Sequence, residues 1–133
     1  MDIHTVSLKD LAGLSDRVLG VLGERLAGKF LLRQGYRILE RNARTRAGEI
    51  DIVAVKGETV RFIEVKTARS ISGNPSVRPE ERIGSRKLSH MERSALVWRA
   101  QKRDEREFHI DAITVSIRSD TKEATIEHIK DVL

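Results

Sequence analysis

Three carboxylates and an ammonium interrupt a pair of apolar strand patterns between residues 48 and 66. The stretch GEIDIVAVKGETVRFIEVK carries Glu49, Asp51, Glu64 and Lys66 among Ile, Val and Phe. A turn with Gly57 and Glu58 at its centre suits type II′, which wants glycine first. That turn sets Val53 opposite Phe62, Asp51 opposite Glu64 and Glu49 opposite Lys66. A loop from Lys56 to Thr59 gives the same register, whereas a Lys56-Gly57 turn pairs Glu49 with Glu64. Directly opposed residues share a face, with Cβ atoms roughly 4.5–5.5 Å apart. Two bare carboxylates at that separation repel and raise each other's pKa. A divalent cation between them removes the conflict, and Mg²⁺ takes oxygen ligands at about 2.0–2.1 Å. Lys66, two residues past Glu64, is placed to orient an attacking water or to stabilise the negative charge of a phosphoryl-transfer transition state. A cross-strand ion pair with Glu49 is the plainer alternative, worth little at a surface.

These side chains need a scaffold. Ile50, Ile52, Ala54, Ile63 and Val65 alternate onto one face. Val53, Val55, Val60 and Phe62 share the other with the charged residues. The hairpin is therefore apolar on both faces near its tip and polar on one face at its open end. Upstream, Ser15 suits a helix N-cap and Asp16 the positive end of the helix. The helix runs through DRVLGVLGERLAGKFLLRQ to a stop at Gly35. Gly20, Gly23, Ala27, Phe30 and Leu31 share one side of it, whose small residues would let the helix lie close to a sheet, with Glu24 at that side's edge. YRILE (36–40) reads as a short strand and RNARTRAG as a basic loop. Residues 67–79 read as a mobile loop, and 1–14 as a weakly ordered leader. A second helix lies between Glu80 and Lys102, with Leu88, Met91, Ala95 and Trp98 at helical spacing. FHIDAITVSI and EATIEHI are strands, the latter at an edge. The order α-β-β-β-α-β-β describes one α/β domain over 1–133, a mixed sheet flanked by helices.

Composition bounds the chemistry. Without cysteine, a disulfide framework, a thiolate zinc site and a Cys nucleophile are excluded. No P-loop or dinucleotide fingerprint is present, so no nucleotide cofactor is expected. No apolar run is long enough for a membrane span, and the N-terminal residues lack signal-peptide character, so a cytoplasmic location is expected. The net charge of +5 favours a polyanionic partner. Arg41, Arg44 and Arg46 precede the acidic stretch, and Arg69, Arg78, Arg82, Arg86 and Lys87 follow it. These are the candidate nucleic-acid contacts; for Lys87 a solvated helix lysine is the plainer reading. Aromatic residues are too few for a base-stacking platform. The four histidines show no metal-ligand spacing. Asp111 sits in an apolar strand, in either a structural or a site role.

Asp51 followed by Glu64-Val65-Lys66 resembles the PD-(D/E)XK signature of restriction-endonuclease-like nucleases. The wider set is more specific: GERLA (23–27), GYRILERN (35–42), GEIDIVAV (48–55), FIEVK (62–66), Lys87 and IDAITV (110–115). Together they resemble the YraN-like uncharacterised protein family, related in fold to archaeal Holliday-junction resolvases. The resemblance spans roughly residues 20 to 130. It implies a restriction-endonuclease-like α/β fold, with Asp51 and Glu64 as ligands of Mg²⁺ or Mn²⁺ and Lys66 as the catalytic lysine. It makes Glu24 the additional carboxylate of resolvase-like members. Glu49 matches the family's GEID as an accessory carboxylate without an assigned role. Two departures stand out: Ile50 replaces the proline of the signature, and Thr67 replaces a common arginine.

The expected function is divalent-metal-dependent hydrolysis of DNA, branched, damaged or duplex, by water attack on the phosphodiester. The alternative is a non-catalytic nucleic-acid-binding or recruitment module of a DNA-processing assembly, or a protein-interaction domain without DNA contact. Resolvase-like relatives act on two-fold substrates, so a homodimer is expected.

Overall fold

The computed structural model describes residues 2–7, 14–70, 84–118 and 120–133. In chain order these form β1 (Asp2–Ser7), α1 (Asp16–Arg33), β2 (Arg37–Thr45), β3 (Gly48–Lys56), β4 (Thr59–Ser70), α2 (Ser85–Lys102), β5 (Glu107–Arg118) and β6 (Glu123–Ile129). The six strands make one sheet in the order β1-β6-β5-β4-β3-β2. Neighbours are antiparallel except β4 and β5, which run parallel with α2 as their crossover. Among the described residues no helix is long and apolar enough to cross a membrane.

Strand alternation assigns the two helices to opposite faces. Ile52, Ala54, Ile63 and Val65 pack with Leu19, Ala27, Phe30 and Leu31 of α1. Val53, Val55, Val60 and Phe62 pack with Met91, Ala95 and Trp98 of α2. On that side the Phe62 and Trp98 rings meet edge to face at 5.4 Å, and the indole N–H donates to Glu40 at 3.0 Å.

The α1 boundaries follow its caps. Ser15 accepts a hydrogen bond from the Val18 N–H at 3.2 Å, and Gly35 leaves the helix at φ +92. Gly23 permits the close approach to the sheet: a Cβ there would lie 1.8 Å from Thr67 Oγ1. Gly20, by contrast, faces open space.

The β3–β4 hairpin has the register the Gly57 turn implies, with Lys56 opposite Thr59 and Val53 opposite Phe62; Gly57 has φ +61. Four expectations change. Residues 2–7 of the leader form β1, which pairs with β6 from Asp2↔His128 to Ser7↔Glu123. The edges are therefore β1 and β2, not β6. A six-residue strand with no bounding turn signal is readable only through the partner it covers. Second, the short strand at 36–40 continues to Thr45, so Arg41 and Arg44 are strand residues and only Arg46 lies in the turn. Third, residues 67–70 are not loop: they extend β4, paired with β5 from Thr67↔Val115 to Ser70↔Arg118. Residues 71–83, Arg78 and Arg82 among them, lie outside the described residues. Fourth, Ile50 packs with Ala43 on the α2 side, not with Ile52 on the α1 side. The reversal falls where Asn42, at φ +49, and Asp51 lie between the Arg41↔Ile52 and Ala43↔Ile50 pairs. Asparagine tolerates that left-handed backbone, and one such residue breaks a strand's alternation.

Asp111 is enclosed by hydrogen-bond partners. Fully buried, it accepts from Arg61 at 3.0 Å and from the Asp131 backbone at 2.9 Å, and lies 2.7 Å from His128 Nε2. A buried carboxylate requires partners of this kind.

The two α1 glycines should respond oppositely to alanine. Gly20→Ala gains helix propensity and stabilises by up to about 1 kcal/mol. Gly23→Ala forces helix and sheet apart and costs about 1–3 kcal/mol, part of it recovered when Thr67→Ala removes the Oγ1 contact. Urea unfolding of the three variants measures both signs.

Candidate functional site

The β3–β4 ladder stops at Ile52 opposite Ile63. Beyond it β3 stays paired with β2 as far as Gly48, and β4 stays with β5 as far as Ser70. The two strands part, and the gap between them needs polar groups to meet the freed backbone. Asp51 supplies one: its Oδ2 accepts the Val65 N–H at 2.9 Å, where a ladder bond would otherwise form. The half-buried Asp51 and Glu64, only 8% exposed, lie close enough across the gap for each to act on the other's titration.

This pair is electrostatically unusual. Burial, then the charge of Asp51, pushes Glu64 up to about 7, against the pull of Lys87. Burial also raises Asp51, opposed by the Val65 N–H, the contact with Glu64 and the Lys87 charge. Glu24 comes from α1 to the same place. It lines a cleft of about 190 Å³ with Asp51, Arg41 and Asn42. Its carboxyl is raised by partial burial and by Asp51 and Glu49, while Arg41 draws it down. Glu49 is exposed, close enough for its charge to act on Glu24, Asp51 and Lys87.

The lysines are distributed otherwise than the sequence motif suggests. Lys87 Nζ lies 3.0 Å from Glu64 Oε1. Lys66 is exposed and forms no ion pair among the described residues, with Glu49 or any other carboxylate. Lys87, itself exposed, precedes the buried Met91, Ser94 and Trp98 at intervals of four, three and four along α2. That spacing is the signal that would have aimed it at the sheet. Asn42, the left-handed residue of the cleft, carries no such signal.

The arginines do not gather on the acidic pair. Arg41 lies across α1, its Nη1 2.4 Å from where a Gly28 Cβ would be. Arg44 and Arg46 are exposed at the end of the β2–β3 hairpin. Arg69 is tied to the start of α1 by Asp16 at 3.5 Å and by the Leu14 carbonyl. Arg86 lies in the first turn of α2.

By donor type the site fits a hard divalent cation: two facing carboxylates in a protected gap, with a third beside them. In this arrangement the Lys87 ammonium offsets their repulsion. Among the described residues no three acidic or histidine side chains converge closely enough to enclose a metal ion as they stand.

Because the folded Glu64 value lies above its ordinary 4.5, the folded chain keeps a proton that the unfolded chain releases. The associated stability is complete below the unfolded value and is lost as pH rises through about 7. In metal-free protein, wild type should therefore lose stability relative to Glu64→Gln between those two values. Urea midpoints across that range measure it, and a constant difference would contradict it.

Residues 23–115 match the profile of the uncharacterised protein family UPF0102. A UPF0102 protein of Trichlorobacter lovleyi is 41% identical over 121 residues, covering 90% of this chain and 92% of that protein. Another, from Beutenbergia cavernae, is 39% identical over 116 residues, covering 86% and 94%. Among solved structures, Pyrococcus furiosus SfsA in complex with Ca²⁺ gives a TM-score of 0.36 at 18% identity, over 86% of this chain and 63%, just under two thirds, of that one. That likeness is too slight to bear on fold or site. The profile match, together with identity over nearly the whole length of both chains, makes this protein a member of the uncharacterised family UPF0102.

Proposed function

We propose that this chain is a divalent-metal-dependent nuclease of the PD-(D/E)XK type, acting on branched or damaged DNA by hydrolysis of the phosphodiester. The observation that carries the reading is the parting of β3 and β4, with Asp51 and Glu64 facing one another in the gap. Asp51, Glu64 and Glu24 are the residues that would hold Mg²⁺ or Mn²⁺. When bound, such an ion polarises the scissile phosphate and lowers the pKa of a bound water. The Val65 N–H fixes the Asp51 carboxylate while leaving its other oxygen for a ligand. The exposed Arg44 and Arg46, with Arg41 of the cleft lining, would hold backbone phosphates, contacts that position DNA without reading sequence. A homodimer matching a two-fold substrate belongs to the same proposal.

A second reading is favoured by one observation. Lys87 already compensates Glu64 at 3.0 Å, which a site without any metal would also need. In that reading the chain is a nucleic-acid-binding or recruitment module, and the acidic pair is structural.

The test uses labelled duplex, single-stranded, flap and four-way-junction DNA with Mg²⁺ or Mn²⁺. Cleavage by wild type should fall about 100-fold or more in Asp51→Asn and in Glu64→Gln, the scale of losing a group that stabilises transition-state charge, with DNA binding retained. Binding without cleavage on every substrate would establish the recruitment reading instead.

A further inference from the structure

Two lysines lie within reach of the acidic gap in sequence, but one reaches it in space. Lys66 sits on β4, whose backbone is held by β5 through Ser70. Its side chain is exposed and without an ion-pair partner among the described residues. Lys87 comes from the other direction. It is the third residue of α2, one turn before the buried Met91. The packing of Met91, Ala95 and Trp98 against Val53, Val55 and Phe62 fixes the helix. Fixing the helix fixes the start of the Lys87 side chain, and its ammonium ends on Glu64 Oε1 at 3.0 Å.

We propose that Lys87, and not Lys66, is the lysine that serves the Asp51–Glu64 pair, as a positioning residue that occupies Glu64 until a divalent cation takes its place. The identity of that cation rests on the nuclease reading, but the lysine assignment does not. Lys87 bonds to a carboxylate that a cation would also use, so the two positive charges compete for it. An exposed lysine with no such contact is screened by solvent and counts for little. The role is a positioning one because Lys87 acts through Glu64.

Two measurements on the full-length protein test this. In metal-free protein at pH 8, Lys87→Met leaves the buried Glu64 and half-buried Asp51 without their ammonium and should lower Tm by about 4 °C or more. Adding Glu64→Gln should recover most of that loss, Lys87→Arg should largely avoid it, and Lys66→Met should leave Tm unchanged. The second readout is Mn²⁺ affinity, from loss of the free-ion electron paramagnetic resonance signal. Removing a positive charge in contact with a ligand carboxylate should tighten binding about tenfold in Lys87→Met. Lys66→Met should change it less than about twofold. The assignment is overturned if Lys66→Met shifts both quantities as much as Lys87→Met, or if Glu64→Gln fails to rescue. Absence of Mn²⁺ binding by wild type, with the Tm rescue intact, would remove the nuclease reading while leaving Lys87 as the lysine of the pair.

Discussion

The separation of β3 from β4 past Ile52 and Ile63 is the constraint on which the candidate site depends. A continuous ladder would have placed Asp51 and Glu64 at ordinary cross-strand positions, their carboxylates directed away from the sheet. Because the ladder ends, Asp51 turns into the gap and takes the Val65 N–H at 2.9 Å, and Glu64 is left facing it. Backbone polar groups inside a sheet must be paired, so the opening is tolerated only with a side chain acting as substitute. The same carboxylate thus closes the backbone's hydrogen bonding and, with Glu64, creates a charge problem that the Lys87 ammonium partly relieves.

Both helices are placed to act on that gap, one from each face. The α1 helix lies close to β4 because Gly23 admits Thr67, and this brings Glu24 into the cleft beside Asp51. The α2 helix is anchored by Trp98 and Met91, and its first turn delivers Lys87 to Glu64. Acid from one side and base from the other meet on a pair of carboxylates that belongs to neither helix. The Asp111, Arg61 and His128 network shares the sheet but pairs the Asp111 carboxylate with its own partners, away from the gap.

Much of this was legible from residue order. Gly57 fixes the turn, and the turn fixes the register as far as Ile52 opposite Ile63, which directs Asp51 and Glu64 to the same end of the hairpin. Gly23, Ala27 and Leu31 at helical spacing announce a helix lying tight on a sheet, with Glu24 at its margin. What was not legible depends on departures from regularity. Alternation predicts a single face for Ile50 and Ile52, but a left-handed Asn42 and a side chain bonding in place of the ladder separate them. β1 exists because β6 offers it an edge, and no property of DIHTVS alone requires that. Lys66 stands in the motif, but a motif gives positions along a strand and not where a long side chain ends. Lys87 was readable only by extending the Met91–Trp98 stripe one turn back.

The central claim is that the gap between Asp51 and Glu64 is a cation site. Anomalous diffraction from crystals soaked in Mn²⁺ tests it most directly. The account predicts a peak between the two carboxylates, near Glu24, with the Lys87 ammonium moved off Glu64. A peak elsewhere, or none with the Lys87–Glu64 contact unchanged, would contradict it and make the acidic pair a structural element of the parted strands.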